Sequence, residues 1–207
     1  MTNSPFNDDL ILAKNRVSTL KDPEKTARLK HINQIAHDYS ERAKFNNPKV
    51  FVSYNGEGGY QLAKEAELFL RKLPVNIDLP NGKKFGVETG FRQQRRDATH
   101  ESDPSVIQHI KIMMQACCLY VGIVVDEYNV GDGRSVPGPW PMFEAGMAEA
   151  LGLPVILMVQ SDISSQYWKK IYYGKRLISF EKGKFGASLS FCATLAQKNY
   201  AIIRESL

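Results

Sequence analysis

Short apolar runs that do not alternate with polar residues constrain this 207-residue chain more than any other feature. They cover residues 50–54, 119–125 and 154–159. A strand with one face in water alternates apolar and polar side chains, whereas a continuous apolar strand has both faces covered. Stretches of helical periodicity lie between and after the runs, over residues 60–73, 106–118, 141–151, 164–173 and 188–205. In the first of these Leu62, Ala66, Phe69, Leu70 and Leu73 share a face, and in the second Ile107, Ile110, Met114 and Cys117 do. Two weaker strand signals, at residues 84–87 and 176–180, bring the number of strands to five. Strands and helices in regular alternation predict an α/β fold built on a doubly wound parallel sheet. In such sheets ligands bind beyond the carboxyl ends of the strands, at the topological switch point. The loops opening at Asn55, Thr89 and Asp126 follow the first three strands, so they are expected to converge on one edge.

The chain divides near residues 46–48. Residues 1–47 contain no glycine and carry two polar helical stretches, one with Leu10, Ile11, Leu12 and Val17, the other with Leu29, Ile32, Ile35 and Ala36. We read 1–47 as a helical extension in front of an α/β domain over 48–207. The extension is too small and polar to build its own core. It is expected to pack on the domain or on a second copy of the chain.

Hydrophobic types at 43% suffice for one sizeable core, which excludes a disordered chain and a disulfide-stapled miniprotein. The net charge of +5 is spread among interspersed acids and bases. With no basic helix and no aromatic platform, nucleic acid is not an expected partner. Cys117 and Cys118 are adjacent and Cys192 is distant, which is neither a metal-ligand spacing nor a disulfide framework. No apolar run follows a basic start, and none is long enough to span a bilayer. The expectation is a cytoplasmic protein that keeps away from membranes.

Three loops carry candidate chemistry. Asn55-Gly56-Glu57-Gly58-Gly59 is either a phosphate cradle or a tight turn needing positive φ; it matches neither G-x-G-x-x-G nor the P-loop lysine signature. Arg92, Arg95 and Arg96 form either a guanidinium cluster able to hold a diphosphate bidentately or a solvated basic loop. Nearby His100 reads as surface. Asp126, Glu127 and Asp132 lack the ligand ladder that calcium needs. Asp126, at a strand end, is placed to hydrogen-bond a ribose. The segment Trp140-Pro141-Met142-Phe143-Glu144 is the most informative. Pro141 suits the start of a helix and puts Glu144 in its first turn. An ionised carboxylate there can stabilise a developing positive charge in the crevice. The alternative is a glutamate that only complements the helix dipole. Gly146 and Ala148 read as small residues that let helix and sheet pack closely.

These residues resemble a known family. Lys49-Val50-Phe51-Val52-Ser53-Tyr54 is similar to the first-strand motif of TIR (Toll/interleukin-1 receptor-like) domains. Trp140-x-x-x-Glu144 resembles the tryptophan-to-glutamate motif of TIR enzymes that hydrolyse NAD, and Leu151-Gly152-Leu153-Pro154-Val155-Ile156 the passage from helix to fourth strand. The resemblance spans about residues 49–180. It implies a flavodoxin-like five-stranded parallel sheet in the order 2-1-3-4-5. It also implies NAD glycohydrolase or cyclase activity, often in bacterial antiphage immunity, with NAD as substrate and no cofactor or metal. By motif, Glu144 is the catalytic glutamate and Trp140 a pocket residue. Ser53, Tyr54, Asn55 and Gly56 are expected along the substrate, Arg92 or Arg95 at its diphosphate and Asp126 at its ribose. TIR enzymes commonly act as assemblies, which implies a homo-oligomer; residues 1–47 hold too little core for an independent sensor domain, so control is expected to come from self-association or a separate sensor protein. The continuation after the first strand and the long insertion before Trp140 depart from the TIR pattern.

A second resemblance competes. Phe143-Glu144-Ala145-Gly146-Met147-Ala148 followed by Leu151-Gly152-Leu153-Pro154-Val155 is similar to nucleoside 2-deoxyribosyltransferases and related nucleotide N-glycosidases. These share the fold and place a glutamate at the same helix start. Nicotinamide leaves NAD as an already cationic group, so one carboxylate can suffice. A neutral base needs a proton donor as well. Asp126 or Glu57 is available for that role. A third reading is a non-catalytic TIR-like module that binds a nucleotide or another TIR domain.

Overall fold

Parallel strands need long crossovers, and the helical stretches supply them. The computed structural model describes residues 5–18, 20–43, 48–75, 83–89, 104–129, 135–161, 176–181 and 183–205. In chain order the elements are α1 (Pro5–Ser18), α2 (Glu24–Ala43), β1 (Lys49–Tyr54), α3 (Gly56–Leu70), β2 (Gly86–Thr89), α4 (Pro104–Gln115) and β3 (Leu119–Val124), then α5 (Trp140–Ala150), β4 (Val155–Gln160), β5 (Arg176–Phe180) and α6 (Phe185–Glu205). Between β3 and α5 a small antiparallel ribbon pairs Tyr128–Asn129 with Ser135–Val136. The five main strands form one parallel sheet in the order β2-β1-β3-β4-β5. This is the flavodoxin-like order expected above. The order reverses at β1, where the chain runs outward to β2 and then crosses to β3 on the other side.

Side chains alternate across the sheet, and each set meets its own helices. Phe51, Tyr120, Val124, Leu157 and Val159 face one core with α1, α2, α4 and α5. Val50, Val52, Tyr54, Val121, Ile123, Ile156 and Met158 face the other, with α3 and α6. All of β3 and β4 is buried. This double cover explains why these strands read as continuous apolar runs.

The N-terminal helices belong to the first core. Phe6, Ala13 and Val17 of α1 and Ile32 and Ile35 of α2 are buried there. Asp9 ties α1 to α4 by accepting from Gln108 Nε2 at 3.0 Å, Lys111 Nζ at 2.9 Å and Gln115 Nε2 at 3.0 Å. Burial pushes the Asp9 carboxyl up, but these bonds outweigh it and hold the group below its ordinary range. Of the two seats expected for the extension, this chain's own α4 provides one.

Several boundaries differ from expectation. α3 begins at Gly56 rather than residue 60, because Gly56 takes φ +61° and turns the chain directly into the helix. That is the tight-turn reading of the glycine-rich segment. β2 starts two residues late, at Gly86, the first residue in register with Lys49 of β1. α4 stops at Gln115, and the Cys118 amide already donates to Lys49 O at 2.8 Å to enter the sheet. The helix expected at 164–173 lies outside the described residues. No described helix is long and apolar enough to cross a membrane.

Gly146 does not mediate close packing. It is exposed within α5, and nothing lies within 4 Å of where its Cβ would be. Ala148 is fully buried against the sheet, as expected. Gly146→Ala is therefore expected to raise stability by about 0.5–1 kcal/mol, because glycine in a helix interior loses more backbone entropy than alanine. A rise of about 2–3 °C in Tm by calorimetry checks it.

Candidate active site

The carboxyl ends of β1 and β3 meet at the switch point, and side-chain direction decides what each residue can do there. Ser53 lies on the same face of β1 as Phe51, toward α5. It is completely buried, and its hydroxyl donates a hydrogen bond to Glu144 Oε2. Glu144 is also completely buried. The helix starts at Trp140, with Pro139 in the cap position. Glu144 is thus the fifth helical residue and not part of the first turn, which corrects the expectation. A carboxylate there is past the free amides, so complementing them does not explain it. Helical side chains lean toward the N-terminus, which carries this carboxyl back to the strand end.

Two further residues fix the start of α5. The Tyr120 hydroxyl, buried under the helix, donates to Pro141 O at 2.8 Å. Gly122 lies beside Ser53 in the parallel register. A Cβ at Gly122 would come within 2.7 Å of Leu157 Cδ2 and 3.1 Å of the Tyr120 ring and hydroxyl. Glycine here leaves room for Tyr120 to cross this position and reach the helix; a larger residue would require Leu157 and Tyr120 to shift. Neither Tyr120 nor Gly122 stands out in the sequence, because both sit inside an apolar strand and their partners are distant along the chain.

Asn55 closes the edge. Its Nδ2 donates to Val125 O at 2.8 Å and to Glu127 Oε2 at 3.1 Å, while its Oδ1 accepts from the Val125 amide at 3.0 Å. It is 2% exposed. Asn55 was expected along the substrate, but its carboxamide instead clamps β1 to β3. Glu127 fills the notch between the two crossovers. A Cβ at Gly56 would lie 3.4 Å from Glu127 Cγ, and one at Gly138 would run into Glu127 Oε2. Asn55→Ala leaves a buried amide and carbonyl of Val125 short of their partner. The expected cost is about 2 kcal/mol, read from the urea midpoint.

The remaining candidates divide. Tyr54 is 4% exposed and packs in the opposite core, 5.6 Å from the Tyr60 ring, so strand alternation takes it away from Glu144. This corrects its expected place along the substrate. Asp126 is exposed at the end of β3 and accepts from Gln160 Nε2 at 3.2 Å, a partner supplied by the end of β4. Trp140 is partly buried against the first core and stacks on Phe143 at 5.7 Å. Phe143, which the sequence reading did not single out, is 45% exposed. Arg92 and Arg95 lie outside the described residues. The structure thus brings Ser53 and Glu144 together, with Asn55, Gly56 and Asp126 around the same edge.

No protein-family model matches the chain, and none of the curated proteins matches it. Among solved structures, a CMP N-glycosidase from Clostridium botulinum, BcmB, is similar over 71% of this chain and 98% of that one, with 14% identity and a TM-score of 0.42. This is a likeness of general outline.

Proposed function

We propose that the protein cleaves the N-glycosidic bond of a nucleoside or nucleotide, with Glu144 as the catalytic carboxylate. The supporting observation is the Glu144–Ser53 pair, buried at the carboxyl end of β1 beside the switch point. As the bond between C1′ and the base lengthens, the ribose gains oxocarbenium character, and a carboxylate stabilises it electrostatically or by covalent capture. Water then completes the hydrolysis at C1′. Ser53, bonded to one carboxyl oxygen, orients the group. A neutral base needs a proton as it leaves. Asp126 and Glu127, which follow β3, are the carboxyl groups assigned to that step.

Cleavage of NAD is the second reading. Trp140 favours it, since it precedes Glu144 by one helical turn and stacks on the exposed Phe143. The antiphage role, the homo-oligomer and a separate sensor protein all belong to this second reading. Incubation with NAD and, separately, with nucleosides and nucleoside monophosphates, followed by chromatography of the released bases, tests both. Release of a pyrimidine or purine base with no nicotinamide supports the first reading. Nicotinamide alone supports the second. Tight nucleotide binding with no turnover overturns both in favour of a binding module.

A further inference from the structure

A buried polar network lies where α2 and α4 meet the β1–β2 edge of the sheet, on the face away from α3 and α6. The Lys49 ammonium forms ion pairs with Asp38 of α2 and with Glu88 Oε1 of β2, the latter at 2.6 Å. Glu88 Oε2 stands 3.8 Å from His31 Nε2 of α2. His31 Nδ1 is 2.8 Å from His109 Nε2 of α4. Gln34 Nε2 adds a bond to Asp38 at 3.1 Å. His109 is 1% exposed, Asp38 2% and Arg28 8%. Four elements, α2, β1, β2 and α4, thus meet through ionisable groups, and α2 contributes three of these groups.

The His31–His109 contact limits the protons this seat can hold. At 2.8 Å one ring nitrogen must donate and the other accept. A proton on both facing nitrogens sets two donors against each other. Among the described residues, the charged groups around the couple are Arg28 and Asp38 of α2, Lys49 of β1 and Glu88 of β2. The Asp9–Lys111 pair joins α1 to α4 further along α4. Glu88 Oε2 faces His31 Nε2 across 3.8 Å. Arg28 and His31 both disfavour a charge on His109.

We propose that the seat of the N-terminal helices is an acid-sensitive latch: the His31–His109 couple holds α2 on α4 while at least one of the two imidazoles is neutral, and releases it when both are cationic. Burial, with His31 and Arg28 beside it, pushes His109 down from its ordinary 6.5 to about 3. A released His109 returns toward the ordinary value. The open form therefore binds the extra proton first. As pH falls from about 6.5 toward about 3, the docked form loses about tenfold in its equilibrium per pH unit. Opening uncovers Ile32 and Ile35 of α2 and the face of α4 they cover. Acid thus shifts the N-terminal helices toward release while the five-stranded sheet stays folded.

Amide hydrogen exchange on the full chain, corrected for intrinsic rates, tests this between pH 7.5 and 4.5. Protection of residues 24–43 is expected to fall about tenfold per unit below pH 6.5, with residues 119–124 and 155–160 keeping theirs. In His109→Gln, which can accept or donate at any pH, protection of 24–43 is expected to stay level until the carboxylates titrate. The latch is overturned if 24–43 keep their protection in the wild type, if the strands lose theirs in step, or if the glutamine variant falls in parallel. Should that variant fail to fold, NMR titration of the wild-type imidazoles decides. His109 taking up its proton only as α2 opens supports the latch, and its titration near pH 6.5 with α2 still protected overturns it.

Discussion

Replacing Glu144 with glutamine is expected to abolish base release, by about a thousandfold or more in kcat, while the protein stays folded. The amide has the same shape and can still accept the Ser53 hydroxyl bond, so the buried packing at the start of α5 is kept. What it lacks is the negative charge that stabilises the cationic ribose, and removal of one such electrostatic contribution costs factors of a hundred to a thousand or more. Ser53→Ala provides the companion measurement. It leaves the carboxyl in place without its orienting partner, so a smaller loss, about tenfold to a hundredfold, is expected in kcat. Steady-state kinetics with the substrate found by base-release screening check both, and circular dichroism checks the fold. Undiminished turnover in Glu144→Gln would remove this residue from the chemistry and leave it as a buried partner of Ser53.

The largest stability effect is expected at Lys49. This lysine stands at the first position of β1, with its side chain between the buried Asp38 carboxylate and the partly buried Glu88 carboxylate. Lys49→Met leaves Asp38 and Glu88 without their cation. Removing one partner of a buried ion pair costs about 3–5 kcal/mol. Urea unfolding at pH 7 measures it. The pH dependence follows from the directions of the shifts. Burial pushes Glu88 up, but His31 and Lys49 outweigh it and hold Glu88 below its ordinary 4.5. Its contribution is complete above that value and lost as pH falls through the lowered one. Burial pushes Lys49 down, but Asp38 and Glu88 outweigh it and raise Lys49 above 10.5. Its contribution is complete below 10.5 and lost as pH rises beyond. The gap between wild type and Lys49→Met should therefore be widest near neutrality and narrow on both sides. A gap that persists unchanged at pH 3 would show that the stem of Lys49, not its charge, stabilises this edge.

Much of the fold around the candidate site was legible in particular residues. The proline and tryptophan before Glu144 placed a carboxylate near the start of the helix that follows β3, and the helix begins within one residue of the expected start. The continuous apolar runs marked β1, β3 and β4, and the glycine-rich segment marked the turn at Gly56. The misreadings have a common origin. Tyr54 and Asn55 sit beside Ser53 in the chain and share its strand end, yet the three side chains go to different places. Tyr54 enters the opposite core, and Asn55 bonds Val125. Adjacency in the chain says which edge a residue occupies, and only packing says which face it meets.

From the sequence alone came the five strands and the helices described at 56–70, 104–115 and 140–150, because apolar periodicity is a local property set by the geometry of strand and helix. Tertiary structure decided the rest: that Ser53 meets Glu144, that Tyr120 crosses over Gly122 to anchor α5, and that Lys49 and His109 receive partners from the N-terminal helices. Those pairings join groups far apart in the chain. A buried polar group is stable only beside a partner, and which partner stands near it is settled when the elements pack.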